Sequence, residues 1–170
     1  MKLIQSSYVF NGQKITMTWI EGDSIENLNP ITQIYGICFN EKGEILVCRE
    51  GHDGQWQLPG GTPERNETIQ QTLERELLEE VDVKIKNFKV LGYQKIEYPN
   101  NPNKDEGGEF YQVRCICKVE ELLPQTSDPA TGNTWERMFV PSDKITEYVK
   151  WGEVGETMFK AAINLQNLSV

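Results

Sequence analysis

The residues Gly61-Thr62-Pro63-Glu64-Arg65-Asn66-Glu67-Thr68-Ile69-Gln70-Gln71-Thr72-Leu73-Glu74-Arg75-Glu76-Leu77-Leu78-Glu79-Glu80-Val81-Asp82-Val83 decide how this chain reads. Their apolar spacing predicts a helix over residues 67–81 or 68–81, the clearest in the sequence. On a wheel turning about 100° per residue with Glu76 at zero, Glu80 lies near ~40° and Glu79 near ~−60°. Leu73, Leu77 and Val81 fall at roughly 60°, 100° and 140° on the same wheel. The helix therefore turns an apolar stripe toward a core and carries an acidic rim beside it. Carboxylates this close repel by a few tenths of a kcal/mol per pair on an exposed helix. A divalent cation with a preference for oxygen ligands, Mg²⁺ or Mn²⁺, relieves that repulsion. Arg75 precedes Glu79 by four residues and is placed to pair with it. Taken alone, Glu76-Leu77-Leu78-Glu79-Glu80 is an ordinary solvated face with ion pairs.

The spacing around the run changes that reading. Gly61-x5-Glu67-x7-Arg75-Glu76-Leu77-x-Glu79-Glu80-x-Asp82-Val83 resembles the signature of the Nudix hydrolase family, G-x5-E-x7-R-E-U-x-E-E-x-G-U, where U is aliphatic. At residue frequencies of about 6% each, a chance match in a chain of this length is on the order of one in a million. The lead-in Trp56-x-Leu58-Pro59-Gly60-Gly61 also resembles the family's approach to its box, with two glycines that permit a sharp turn. One position departs: Asp82 stands where the family has its final glycine. That glycine ends a helix in the left-handed region, which Asp tolerates better than most residues.

The resemblance implies an α/β fold, an α/β/α sandwich with a mixed sheet between helices and the box as loop–helix–loop. It implies hydrolysis of a pyrophosphate bond in a nucleoside diphosphate derivative, with water and a divalent metal (Mg²⁺ or Mn²⁺). The substrate would be a nucleoside triphosphate, ADP-ribose, a dinucleoside polyphosphate or a nucleotide sugar. By position, Glu76, Glu79 and Glu80 would be catalytic metal ligands, and Glu67 a further ligand or an orienting carboxylate. Arg75 would hold the carboxylates in place, and Gly61 would give the backbone room beside metal and phosphate. The general base stays open among Glu79, Glu80, Glu106 and Glu109. The competing reading is a Nudix-like domain that senses a nucleotide without cutting it.

Outside the box the signals are weaker. Gly60 and Gly61 would border the substrate; Arg49 reads equally as a phosphate contact or a surface ion pair. Trp56 is positioned to stack on a base or to pack beneath the Pro-Gly-Gly turn. His52, the only histidine, reads as a surface residue. Pro99 resembles a residue of the ADP-ribose pyrophosphatase subgroup and Tyr98 one of the dinucleoside polyphosphate subgroup, so the two point to different substrates.

Upstream, Tyr8-Val9-Phe10, the turn pair Asn11-Gly12 and the alternating residues 15–20 predict a hairpin. Residues 21–30 connect it to strands over 31–39 and 44–49. Hairpin and connector form a unit over residues 1–30, and the Nudix domain takes 31–170. The hairpin either completes the sheet of its own domain or offers an edge to a second copy, which would make a homodimer. Downstream, strands are expected over 83–98, 110–119 and 134–140, a loop over 99–108, and helices over 142–148 and 154–167.

The whole chain has 170 residues, enough for one domain with a sizeable core. Its 26 acidic and 17 basic residues give a net charge of −9, which argues against DNA or RNA as a stable partner and against RNA cap hydrolysis. A small anionic nucleotide remains compatible where cations bridge it to the acids. Cys38, Cys48, Cys115 and Cys117 lack metal-ligand spacing and read mainly as buried free thiols. No apolar leader follows Met1 and no stretch is long enough to cross a membrane, so a soluble cytoplasmic protein is expected.

Overall fold

The computed structural model describes residues 3–167; Met1 and Lys2, part of the leader reading, lie outside the described residues. Strands β1 (Leu3–Phe10) and β2 (Gln13–Glu21) form the expected hairpin, from Leu3 opposite Ile20 to Phe10 opposite Gln13. Asn11 and Gly12 both take positive φ, 49° and 74°, which a two-residue turn matched to strand twist requires. The chain continues through β3 (Ile31–Phe39), β4 (Ile45–Glu50) and the short β5 (Gly60–Gly61) into helix α1 (Ile69–Val81). Then follow β6 (Val83–Glu97), β7 (Glu109–Leu122), β8 (Trp135–Val140), a 3₁₀ turn (Ser142–Lys144), α2 (Ile145–Tyr148) and α3 (Gly152–Asn167). The expected strand over 110–119 is longer at both ends, and the expected helix over 142–148 splits into the 3₁₀ turn and a single α turn.

One eight-stranded sheet runs β1-β2-β6-β7-β3-β4-β8, with β5 attached to β3. The β3–β7 pairing is parallel and the others are antiparallel, which makes the sheet mixed. Through β2 and β6 (Thr16 opposite Glu97, Glu21 opposite Gly92) the N-terminal hairpin is continuous with this sheet.

The sheet parts between β3 and β4, and that opening positions the site. The two strands share only the pair Phe39–Ile45. Residues 57–61 fill the gap beyond it. Gln57 exchanges two 2.9 Å hydrogen bonds with Cys48 of β4, and the Gly36 N–H of β3 donates to the Pro59 carbonyl at 2.9 Å. Tyr35 then lies opposite Gly60 and Ile34 opposite Gly61.

Two cores cover opposite faces of the sheet, as an α/β/α sandwich requires. On one face Leu73, Leu77 and Val81 of α1 pack with Ile34, Leu46, Val113 and the thiols of Cys38, Cys48, Cys115 and Cys117. These three helix residues are fully buried and each contributes roughly 1.5–3 kcal/mol of apolar burial. On the other face Ile145 and Val149, with Val154, Met158 and Phe159 of α3, pack against Trp19, Ile37, Phe39, Ile45 and Leu58. All four cysteines are buried and free. No helix among the described residues is long and apolar enough to cross a membrane.

Candidate active site on helix α1

Helix α1 is fixed at both ends by its own sequence. Thr68 caps it: the Gln71 N–H donates to Thr68 Oγ1 at 3.2 Å, and the Thr68 N–H donates to Gln71 Oε1 at 2.9 Å. This reciprocal box satisfies two donors that the first turn leaves without intrahelical partners. At the other end Asp82 adopts φ 51°, ψ 51° and its N–H donates to the Leu77 carbonyl. The family's glycine conformation is thus kept by an aspartate. Its carboxylate accepts from the Thr126 N–H at 2.8 Å and the Thr126 hydroxyl at 2.7 Å, which ties down the segment between β7 and β8. Arg137 of β8 donates to the carbonyls of Val81, Asp82 and Leu123 and closes the helix C-terminus.

Arg75 sits at the centre of the acidic rim. Its Nε and Nη2 donate to the two oxygens of Glu67 at 2.8 and 3.0 Å, and Nη2 also reaches the Thr62 carbonyl at 3.0 Å. Nη1 donates to Glu76 at 2.9 Å and to Glu79 at 3.2 Å, the latter being the i, i+4 pair expected from the sequence. One guanidinium thereby sets the orientation of three carboxylates, with the fork geometry that Lys lacks. The Arg75 bonds, helped by the Glu64 N–H and the Thr72 hydroxyl, hold the Glu67 carboxyl down at about 2.

Glu80 differs from the others. It is buried and accepts a single 3.1 Å hydrogen bond from the Gly60 N–H. Burial pushes its carboxyl up to about 8; the Gly60 bond opposes this, and the charges of Glu76, Asp128 and Glu50 add to it. Burial also raises Glu76, against the pull of Arg75. Both glycines before the helix are needed. Gly60 has φ +145°, and a Cβ there would stand 2.0 Å from the Ile34 carbonyl oxygen. A Cβ on Gly61 would lie 2.3–2.5 Å from the Glu76 carboxylate, so Gly61 makes room for Glu76.

The structure thus gathers Glu67, Arg75, Glu76, Glu79, Glu80, Gly60 and Gly61 into one site. Arg49 and Trp56 come together instead with Glu136. Arg49 pairs with Glu136 at 2.6–2.7 Å, the ion-pair alternative of its sequence reading, and its guanidinium lies 4.6 Å over the Trp56 ring. Trp56 packs against the core on the α3 face, and His52, largely exposed, contacts Glu136 as well. Glu109 is bound by Lys95 and Tyr111, and Glu106 by Asn101. Tyr98 is a core residue packed with Ile15, Ile96 and Phe110. Sequence reasoning did not single out Asp128 and Glu50, whose charges reach Glu80. Asp128 carries only a turn signal, its Oδ1 accepting from the Ala130 and Thr131 N–H groups.

The donor set fits a hard divalent cation by its chemistry. Glu76, Glu79 and Glu80 offer only carboxylate oxygens, and burial disfavours the negative charge of Glu76 and Glu80, which a bound cation would offset. Among the described residues, no three acidic, His or Cys side chains are already arranged around a metal position. Arg75 draws Glu76 and Glu79 toward itself.

Residues 31–159 match the sequence model of the NUDIX domain, which covers most of the chain. The chain belongs to the Nudix family. A Hydrogenovibrio crunogenus protein named RNA pyrophosphohydrolase is 37% identical over 126 residues, covering 66% of this chain and 76% of that one. A MutT-like protein of Streptomyces ambofaciens is 27% identical over 114 residues, 67% of this chain and 68% of its own. The matched part is smaller elsewhere: 29% of the Pasteurella multocida RNA pyrophosphohydrolase. The solved structure of a Bacillus subtilis pyrophosphohydrolase superposes with a TM-score of 0.67, covering 92% of this chain and 94% of that one. At 17% identity that likeness establishes the shared fold. The charged positions of the box are all present, Asp82 alone departing from the signature, and the mixed sheet that carries them is mostly antiparallel.

Proposed function

We propose that this Nudix protein is a divalent-metal-dependent hydrolase that cleaves a pyrophosphate bond in a small nucleoside diphosphate derivative. The observation that carries the reading is the organisation of Glu67, Glu76 and Glu79 around Arg75 with Glu80 seated on the Gly60 N–H. Glu76, Glu79 and Glu80 would hold Mg²⁺ or Mn²⁺, which supplies charge neutralisation of the phosphates and a bound water of lowered pKa. The residues of the chain do the positioning on which phosphoryl transfer depends. Glu67 anchors Arg75, and Arg75 fixes how Glu76 and Glu79 face the substrate. Gly61 lets Glu76 approach the loop. With a net charge of −9, such a protein favours a free nucleotide derivative over a long polyanion.

Glu79→Gln is expected to lower turnover by several powers of ten with the circular-dichroism spectrum unchanged. The assay is phosphate release with Mg²⁺ or Mn²⁺ from nucleoside triphosphates, ADP-ribose, dinucleoside polyphosphates and nucleotide sugars. Near-normal activity in both Glu79→Gln and Glu80→Gln at saturating metal would sink the ligand assignment. Silence of the wild type across the panel, with nucleotide still raising the melting temperature, would favour the sensing domain.

Four free buried thiols suit a reducing compartment such as the cytoplasm. A homodimer through the sheet edge at β1, which exposes Leu3, Val9 and Phe10, is the assembly proposed. Sedimentation equilibrium tests it, with Val9→Lys expected to give monomer and a monomeric wild type refuting it.

A further inference from the structure

Two cavities open on the α3 face of the sheet, across the sheet from α1. One, of about 490 Å³, lies beside the acidic rim, and the charges of Glu80 and Glu76 reach Tyr35 in its wall. The other, of about 290 Å³, lies at the end of α3, where Gln166 lines it together with Phe39, Phe88 and Ile116. Lys118 in its wall stands four residues along β7 from Arg114 in the first, about 13 Å of strand. No residue of the box contributes to this second cavity.

The second cavity is cationic in an acidic chain. Lys89 and Lys118 line it, and among the described residues no Asp or Glu does. Lys86 stands directly across the β6–β7 ladder from Lys118, which places both side chains on the same face. Like charges set opposite one another in this way destabilise the pairing. The chain has 26 acidic residues with which to relieve the repulsion. It does so to either side, where Lys84 pairs with Glu121 at 2.7 Å and Lys95 with Glu109 at 2.8 Å. Lys86, Lys89 and Lys118 pair with no carboxylate among the described residues. Glu21 and Asp23 share a larger neighbouring cavity with Lys89 and still form no ion pair with it.

The backbone shapes this wall. Lys86 pairs with Lys118 and Lys89 with Ile116, so Asn87 and Phe88 together stand opposite the single residue Cys117. Such a bulge re-aims side chains, and here Asn87 takes φ 57° while Phe88 joins the cavity wall. The side-chain amides of Asn87 and Gln166 border the same space and make no hydrogen bond to the described residues.

We propose that this cavity is a second ligand site, separate from the box, for a phosphate monoester of mononucleotide size. A phosphate monoester carries nearly two negative charges at neutral pH, which offsets the repulsion between Lys86 and Lys118 and gives Lys89 a partner. Lysines receive phosphate as point charges, without the fork geometry of arginine. Phe88 and Phe39 give a ring a surface to lie on, and the amides of Asn87 and Gln166 offer it both donors and acceptors. A lone phosphate leaves the aromatic wall uncovered, and a neutral ring leaves the lysines unpaired. The site stands whether or not the box cleaves a nucleotide.

The test is amide chemical-shift mapping of the full ¹⁵N-labelled chain in EDTA, with AMP, adenosine and inorganic phosphate as probes. AMP is expected to move the backbone amides of Asn87, Lys89 and Lys118 and the side-chain amide of Gln166. Adenosine and phosphate should each bind there about tenfold or more weakly than AMP. Lys118→Gln should weaken AMP at these residues about tenfold, and Lys86→Gln several-fold. Neither variant should melt below wild type without ligand, because each loses a like-charge neighbour and no ion pair. AMP shifts confined to α1 and to the wall around Arg114 overturn the proposal. So does phosphate binding as well as AMP, which would leave an unspecific cationic patch, or unchanged AMP affinity in both variants. Both variants melting below wild type would make the lysines packing residues and overturn it too. Cleavage of nucleotides at the box with AMP silent at this cavity refutes the inference and leaves the hydrolase reading standing. AMP bound here by a protein that cleaves nothing does the reverse.

Discussion

Replacing Glu80 by Gln should make the metal-free protein more stable, by an amount that grows with pH. The folded state holds the Glu80 carboxyl at about 8 against an ordinary glutamate value of 4.5, chiefly because it is buried. An acid whose folded pKa is raised binds its proton more tightly in the native state. Its contribution is therefore fully present below 4.5 and lost as pH climbs toward 8. From 4.5 to pH 7 is about 2.5 pH units at 1.36 kcal/mol each, or about 3 kcal/mol. At pH 5 the same linkage amounts to about 1 kcal/mol. Gln carries no proton to lose, and its Oε1 can still accept from the Gly60 N–H. In a chain of this length a 3 kcal/mol gap corresponds to roughly 6–12 °C in melting temperature.

Thermal and urea denaturation in EDTA at pH 5, 7 and 8 read this directly. The variant should be slightly more stable at pH 5 and clearly more stable at pH 7. A gap that does not change between pH 5 and 8, or a wild type more stable than the variant at pH 7, would refute the reasoning. Adding Mn²⁺ should then narrow the gap at pH 7. A cation that binds the ionised site stabilises wild type by about 2.7 kcal/mol at a hundred times its Kd, and the variant by less. Chelation should leave the folded spectrum in place while abolishing turnover; unfolding on chelation would make the metal structural instead.

Gly60→Ala should destabilise by about 2–4 kcal/mol, since its Cβ meets the Ile34 carbonyl oxygen and its φ of +145° disfavours any side chain. A urea midpoint within error of wild type would contradict this. Asp82→Gly should change stability by no more than about 1 kcal/mol, because relief of the left-handed conformation offsets two lost hydrogen bonds to Thr126. The same variant should loosen the segment around Thr126 in hydrogen exchange, and unaltered protection there would count against the tie.

Much of the fold was legible because local rules and tertiary demands agree at particular residues. Asn11-Gly12 supplies the backbone angles of a tight turn whatever packs around it. The Leu73/Leu77/Val81 stripe marks α1 by its spacing alone, while the Thr68–Gln71 box that caps it is seen only in the structure. The Asp82 departure was readable as a tolerated left-handed residue. Its bonds to Thr126, 44 positions away, were not. The parting of β3 from β4 is likewise invisible in periodicity, since the wedge at residues 57–61 is held by a few backbone hydrogen bonds.

The site divides along the same line. Carboxylates spaced on one helix face announce themselves, because the helix repeat converts sequence spacing into distance. The cavity beside them does not, because its wall comes from separate strands: Trp19 from β2, Tyr35 from β3, Gln94 from β6, and Gln112 and Arg114 from β7. A lone Arg in an apolar strand carries no sequence signal of its burial. Only the assembled sheet shows that Arg114 is buried beside Tyr35 and Trp151 with amide oxygens, not carboxylates, as its partners. In the proposed reaction the helix would bring cations to phosphates, which an acidic chain can do with a few residues.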